Sequence, residues 1–486
     1  MSEHTTPISA TDDPTQLGFH PGQMNALLAR QRKAYTAAPM PSLEARKTKL
    51  KALKAALLKH QDALCDAMSQ DFGHRARYDS LLSDVMPCVG NIDYTLARLG
   101  KWMKPSRRNP GLLLSPASVT VHYQPLGVVG ILVPWNFPVM LSIGPLITVL
   151  AAGNRAMLKL SEFTPATNRA IKALLADAFD EDEVAVIEGE AEAAAAFSAL
   201  PFDHLLFTGS TAVGKHVMRA AADNLTPVTL ELGGKSPTLI GPDIAIDTAV
   251  ERLIWGKCLN AGQICTSPDY VLLPRQKMDD FVAAYRAHFA KLYPKGLASD
   301  DYTSVVNPRQ YQRLIDTLED ATHKGAVALP AIDNYRDDER HRLATVMLAN
   351  VSDGMRVMEE EIFGPLLPLV PYDSIDDAIA YIQARPRPLA LYLMSFDSDL
   401  QEKVLALTHA GGVSINDTVL HVAAEDAPFG GIGPSGMGHY HGHEGFLTFT
   451  KAKTVLKRGK INTGRLVHPP YGKPLQKLML KFFLRD

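Results

Sequence analysis

GVVGILVPWNFP, residues 127–138, is the stretch on which the fold turns. Its first half is an uncharged, β-branched run, the pattern of a strand buried on both faces, and its second half is a proline-rich turn. Leu126 to Gly153 carries no charged residue, which hydropathy alone would read as a membrane span. Pro134, Pro138 and Pro145, with Asn136 among them, would break that helix and leave polar groups unsatisfied in lipid. A buried strand, a tight turn and a buried helix over residues 142–152 account for the same residues. Working outward, AMLKL (156–160), VAVIEG (184–189) and DHLLFTG (203–209) read as strands, with a helix over 165–178 and an Ala-rich helix near 191–200 between them. Short β runs alternating with helices predict a parallel sheet with right-handed crossovers.

A second series opens after GGKSPTLIG (233–241), with a helix over 247–259, a strand near 270–273, a helix over 277–292 and further βα alternation to about residue 430. Residues from about 20 to 105 read as mostly helical, including 43–68 and a helix over 78–99 that ends at Gly100. Val119, Val121 and Tyr123 alternate as an isolated strand. The expected fold class is α/β, two such domains with a cleft between them.

At 486 residues with 46% hydrophobic and 21% charged residues, the chain has the composition of a multidomain globular protein. A formal net charge of -2 argues against a nucleic-acid partner, which would need a Lys/Arg surplus. The four cysteines form no CxxC pair, so neither a disulfide framework nor a zinc site is suggested, and a reducing, cytoplasmic setting is the simplest expectation. MSEHTTPISATDDPTQ at the N-terminus lacks the basic and apolar regions of a signal peptide. KLMLKFFLRD (477–486) is too short to span a membrane and reads as a docked tail or a weak surface contact.

Several residues invite chemistry, each beside a plainer reading. Cys265, in NAGQICTSP (260–268), is either a buried thiol packed as a small hydrophobe or a nucleophile in a loop whose backbone amides lower its pKa. Cys258, on a helix pattern, reads as core. Glu231 interrupts the apolar run of VTLELGGKSPTLI (228–240); it is either a general base with a desolvated carboxylate or a group neutralised by Lys235. Asn136 either donates to a developing oxyanion or caps the helix that begins near Val139. FTGSTAVG (207–214) sets small residues between a strand and a helix, as in a phosphate site at a helix N-terminus, or as in ordinary capping. Lys159 and Glu162 end a strand pattern where an open α/β sheet holds ligands, or are merely solvated charges. HYHGH (439–443) reads as a polar surface turn rather than a metal site. No metal is expected.

Taken together and in order, PWNFP (134–138), KLSE (159–162), FTGSTAVG, ELGGK (231–235), GQICTSP (262–268), EEIFGP (360–365) and PFGGIGPSGMG (428–438) resemble the aldehyde dehydrogenase superfamily from about residue 35 to 457. That resemblance implies two doubly wound parallel-sheet domains, a cofactor-binding one over 1–105 and 127–232 and a catalytic one over 233–440. Residues 106–126 and 447–486 would form a protruding β arm and a C-terminal tail, the arm making a homodimer. It implies Cys265 as nucleophile, Asn136 with the Cys265 amide as oxyanion hole, and Glu231 as the base that activates water. It implies NAD, with NADP possible, held by Trp135, Lys159, Glu162, Gly209, Ser210, Thr211, Gly214, Leu232, Gly233, Glu361 and Phe363. Gly233 and Gly234 would leave room for the nicotinamide. Glu231 favours acid over acyl-CoA as product.

KLSE, HYHGHEGF and RLVHPPYGKP (465–474) resemble the dimeric branch, and within it the bacterial coniferyl aldehyde dehydrogenases. The expected substrate is an aryl, α,β-unsaturated or medium-chain aldehyde such as coniferyl aldehyde. Two rival readings are a cofactor-independent thiol esterase and a catalytically silent binding homologue.

Overall fold

A computed structural model describes residues 21–460 and 462–484. The N-terminal stretch read above for a signal peptide lies outside the described residues.

GVVGILVP forms the strand Val128–Leu132, every residue of it buried. It lies inside a six-stranded sheet ordered Gly436–Met437, Val228–Leu232, His204–Gly209, Val128–Leu132, Arg155–Lys159, Val184–Ile187. All neighbours are parallel except the first pair. The chain walks outward from Val128–Leu132 to Val184–Ile187, then returns to lay His204–Gly209 on the other side. The strand order therefore reverses between Val128–Leu132 and His204–Gly209. Open α/β sheets bind ligands at the carboxyl ends of strands at such a switch point. Here those ends lead into Pro134-Trp135-Asn136 and into Gly209-Ser210-Thr211.

The charge-free stretch continues as the helix Met140–Ala152, ended by Gly153 in a left-handed conformation (φ 91°). Ile143, Leu146, Ile147, Val149 and Leu150 are at most 1% exposed, each burial stabilising by about 1.5–3 kcal/mol. Among the described residues no helix is long and apolar enough to cross a membrane.

The second series builds a seven-stranded sheet ordered Val327–Pro330, Val346–Ala349, Leu366–Tyr372, Tyr270–Pro274, Pro237–Ile240, Ala390–Met394, Gly412–Ile415. Only the edge pair Val327–Pro330 with Val346–Ala349 is antiparallel. A separate antiparallel sheet joins Ser106–Arg108, Ser118–Pro125 and Thr450–Lys457.

Two readings need correction. The helix near residues 78–99 does not end at Gly100. It runs from Arg77–Ser80 through the π-helical Leu81–Val85 into Met86–Trp102, and Gly100 lets Leu43 approach, since a Cβ there would lie 3.3 Å from its Cδ2. HYHGH is not a surface turn: Tyr440 and His441 are 4% and 2% exposed. This segment leads into the helix Gly442–Thr448, which packs on Met140–Ala152. His439 and His441 hydrogen-bond the carbonyls of Phe429 and Ala427. The tail forms the helix Pro474–Leu484, tied by Gln476, whose Nε2 donates to the His468 carbonyl (3.0 Å), while Leu478 and Phe482 stay exposed.

Candidate active site

One cleft of about 550 Å³ opens where the first sheet reverses its strand order. Trp135, Asn136, Gly209, Ser210 and Thr211 line it from the first sheet, with Glu231 and Gly233 at the end of Val228–Leu232. Cys265, Glu361 and Phe363 line it from the second series. Five other residues expected at the site, Gly234 among them, stand outside this lining. Lys159 pairs with Leu132 at the same strand ends, and Glu162 lies 3.6 Å from its ammonium. Gly214 and Leu232 pack helix on strand, since a Cβ on Gly214 would come within 2.8 Å of Leu232.

Local sequence explains each placement. The prolines around Trp135 and Asn136 delay the helix, which takes up helical geometry at Val139. Ser210 caps the helix Thr211–Ala222 by accepting the Val213 N–H. Cys265 follows three residues with positive φ: Asn260 (50°), Ala261 (52°) and Gly262 (73°). Two of these are not glycine, so the backbone is strained there. A Cβ on Gly262 would meet the Gly364 carbonyl at 2.6 Å. The strain is held by hydrogen bonds from Asn260 and Gln263. Asn260 Nδ2 donates to the carbonyls of Asn136 (3.0 Å) and Gln263 (3.3 Å), and Gln263 Nε2 donates to those of Asn260 (2.9 Å) and Ser304 (3.1 Å).

The alternatives for the three central residues now separate. Asn136 does not cap the following helix; Asp84 accepts the N–H groups of Val139 and Met140 instead, while Asn136 Nδ2 donates to the Gln263 carbonyl (3.2 Å). Glu231 is not neutralised by Lys235, whose ammonium binds Asp269 and the carbonyls of Val357 and Glu360. Both carboxyl oxygens of Glu231 are buried without a partner, and burial pushes its pKa well above the usual carboxylate range. Cys265 is only partly buried by its surface. The amides of Cys265 and Thr266 do lower its thiol pKa, as the loop position suggests. Burial and the carboxylates of Glu361 and Glu231 outweigh them and push it up to about 12. Cys258 is core, 1% exposed.

Gly233 is the other departure. The space it leaves is taken by Glu361: a Cβ at 233 would sit 2.1 Å from Glu361 Oε1. Burial and the nearby Asp269 raise the Glu361 pKa to about 8. Phe363, at φ 49°, meets the Trp135 ring edge-on with centroids 5.2 Å apart. Arg313 fixes this turn by donating to the carbonyls of Ile362 (2.8 Å) and Phe363 (3.3 Å). Sequence reading passed over Arg313 and its partner Gln310, both on the cleft; their helix, Pro308–His323, shows only ordinary amphipathic spacing. Among the described residues no group of three His, Cys, Asp or Glu side chains could hold a metal.

A nucleophile candidate, an amide donor and an unpaired buried carboxyl share this cleft on a doubly wound sheet, and comparison gives the class. Residues 20–455 match the model of the aldehyde dehydrogenase family, and the chain belongs to that family. It is an NAD(P)-dependent oxidoreductase that oxidises aldehydes, which sets aside the esterase and silent-homologue readings. The chain is 55% identical to a probable coniferyl aldehyde dehydrogenase of Pseudomonas aeruginosa, over 95% of this chain and 97% of that protein. Among solved structures it is similar to Staphylococcus aureus AldH in a substrate-bound state (TM-score 0.89, 36% identity, 95% of this chain and 99% of that one). It is also similar to a Mycobacterium tuberculosis aldehyde dehydrogenase complexed with NAD+ (TM-score 0.81, 28% identity, 91% of each chain).

Proposed function

We propose that this protein oxidises an aryl or α,β-unsaturated aldehyde, coniferyl aldehyde being the model substrate, to its carboxylic acid through a thioester on Cys265. The observation that carries the reading is that Cys265, Asn136 and Glu231 line one cleft; the relative's name supplies the substrate class. Cys265 gives up its thiol proton to solvent and its sulfur adds to the carbonyl carbon. The oxyanion that develops would be met by the Asn136 amide and the Cys265 backbone N–H. After oxidation the acyl group remains on sulfur. Glu231, with a raised proton affinity and no competing cation, takes a proton from the water that releases the acid.

A nicotinamide cofactor, when bound, supplies the hydride acceptor. The cleft fits such a group. It opens at the switch point beside the N-terminus of Thr211–Ala222, suited to a pyrophosphate, and is walled by Trp135 and Phe363. Gly209, Ser210, Thr211 and Gly214 would serve the phosphates, and Leu232 and Gly233 the nicotinamide end with Glu361 and Phe363. Lys159 and Glu162 would hold the adenosine ribose, and the Glu162 carboxylate disfavours a 2′-phosphate, so NAD is preferred over NADP. Of the described residues, 21–105 with 127–232 form the cofactor unit and 233–440 the catalytic one, with Gly436–Met437 reaching back to the first sheet. The separate sheet ending in the edge strand Thr450–Lys457 suits a homodimer arm, and the setting is cytoplasmic.

A panel of coniferyl aldehyde, cinnamaldehyde, benzaldehyde, hexanal and acetaldehyde, run with NAD+ and NADP+ and followed by nicotinamide absorbance, tests this. The unsaturated aryl aldehydes should exceed acetaldehyde in kcat/KM by at least about tenfold. Preference for acetaldehyde would sink the substrate assignment.

A further inference from the structure

The turn that carries Asn136 is gripped from a part of the chain outside all seven family motifs. Arg75, just before the helix Arg77–Ser80, and Asp84, inside the π-helical Leu81–Val85, form an ion pair of 2.7 Å with neither side chain exposed. Arg75 Nη1 donates to the Asn136 carbonyl (2.8 Å). The other oxygen of Asp84 accepts the N–H groups of Val139 (3.0 Å) and Met140 (2.9 Å). One ion pair thus holds both ends of the turn 136–140. The guanidinium is fixed in turn between the rings of Phe72 and Phe137, 5.0 Å from each centroid.

Stability is a poor explanation for this arrangement. Removing two charges from water offsets most of what their attraction returns, and well-packed apolar residues generally serve a core as well or better. Asp84 supplies the acceptor for the start of the helix Met140–Ala152, and Arg75 offsets its buried charge. What Arg75 adds beyond that is a bond to the backbone of Asn136, and the carbonyl it holds is the one that Asn260, in the strained loop before Cys265, also binds. Donor turn and nucleophile loop therefore meet at one atom.

We propose that Arg75 and Asp84 are positioning residues for the oxyanion donor: they fix residues 136–140 so that the Asn136 amide stays at the nucleophile loop, where Nδ2 now reaches the Gln263 carbonyl. This rests on the reading of Asn136 as that donor. The placement matters because a shift of about 1 Å in a catalytic group can cost about 10²-fold in rate.

The test is a cycle of steady-state kinetics on the full enzyme with NAD+ and its best aldehyde, comparing Arg75→Met, Arg75→Lys, Asp84→Asn, Asn136→Ala and the double variant Arg75→Met/Asn136→Ala. Arg75→Met should lower kcat by about 10–100-fold while the KM for NAD+ stays within about twofold. Arg75→Lys, which can keep one of the two bonds, should recover part of the loss. In the double variant the loss should be no greater than in Asn136→Ala alone, because Arg75 acts through that residue. Losses that multiply, wild-type kcat in Arg75→Met, or a cofactor KM that worsens as much as kcat would each overturn the proposal. Should Arg75→Met fail to fold, Arg75→Lys and Asp84→Asn complete the same cycle with Asn136→Ala. An Asn136→Ala enzyme with undiminished kcat would instead show that the donor itself was misassigned.

Discussion

The cleft brings together two groups of polar residues built on opposite rules. Around Asn136 they are bonded in chains, with only Arg75 Nε and Asn260 Oδ1 left unmet: Arg75 to Asp84 and to the Asn136 carbonyl, Asn260 to the same carbonyl, and Gln263 to three backbone groups. Around Glu231 and Glu361 the bonding is sparse, the Gly234 amide to the Glu361 carboxylate being its one contribution. Both oxygens of Glu231 and Oε1 of Glu361 are buried without a partner, although Lys235 is fully engaged close by with Asp269. Leaving a buried polar atom unmet costs about 1–3 kcal/mol, so the contrast is informative. The bonded side keeps one geometry, as a donor aimed at a transient charge must. The unbonded side keeps its proton affinity high, as a group that moves protons must.

Removing reactive groups breaks that contrast most severely. Cys265→Ser should lose about 10⁴-fold or more in turnover and show no initial burst of reduced nicotinamide, because nothing remains to form the thioester. Glu231→Gln should lose about 10²–10⁴-fold in steady-state turnover yet keep a burst of about one equivalent, since water activation fails only after the first oxidation. Rapid mixing with absorbance detection separates the two. Full steady-state turnover in Glu231→Gln would remove the base role. A smaller loss is expected from the bonded side: Asn136→Ala should lower kcat by about 10²–10³-fold with the burst slowed rather than abolished. A burst at wild-type rate in that variant would mean the amide plays no part in sulfur addition.

This contrast also marks what could be read before the fold was known. Strand and helix positions around residue 130 followed from charge-free β-branched runs and proline breaks, and Cys265, Glu231 and Asn136 stood out because each is a chemically unusual residue in its local setting. The support behind them did not. Arg75 and Asp84 lie 61 and 52 positions from Asn136, inside a stretch whose composition says only helix, and a cross-chain ion pair has no periodicity. The π turn at Leu81–Val85 is equally silent, since helix propensities do not distinguish one extra residue in a turn. His441 looked solvent-exposed because its neighbours are polar; the Phe429 ring, the Ala427 carbonyl and Glu425, from the loop before it, enclose it. Gly233 was legible as a close approach, but not that the approaching group is a carboxylate of the same chain.

The smallest effect belongs to stability and concerns the unbonded side. Glu361 titrates at about 8 in the folded protein against an ordinary value of 4.5. The folded state therefore binds more protons than the unfolded state between those values, and the stabilisation present below pH 4.5 is lost as pH rises through about 8. Glu231 is displaced the same way. Other groups titrate in this window too, Glu425 at about 7 among them, so the slope of any single protein is a mixture. A difference between variants isolates one contribution. In the absence of cofactor, Glu361→Gln should show a shallower fall in Tm than the wild type from pH 6 to 8.5, the two curves converging towards pH 5. Buried His204 and His421, both lowered to about 4, affect only the acid end and cancel in the comparison. Melting curves that run parallel across the window would mean that the Glu361 carboxyl is solvated in solution, and that the unbonded side is less closed than its unmet oxygens imply.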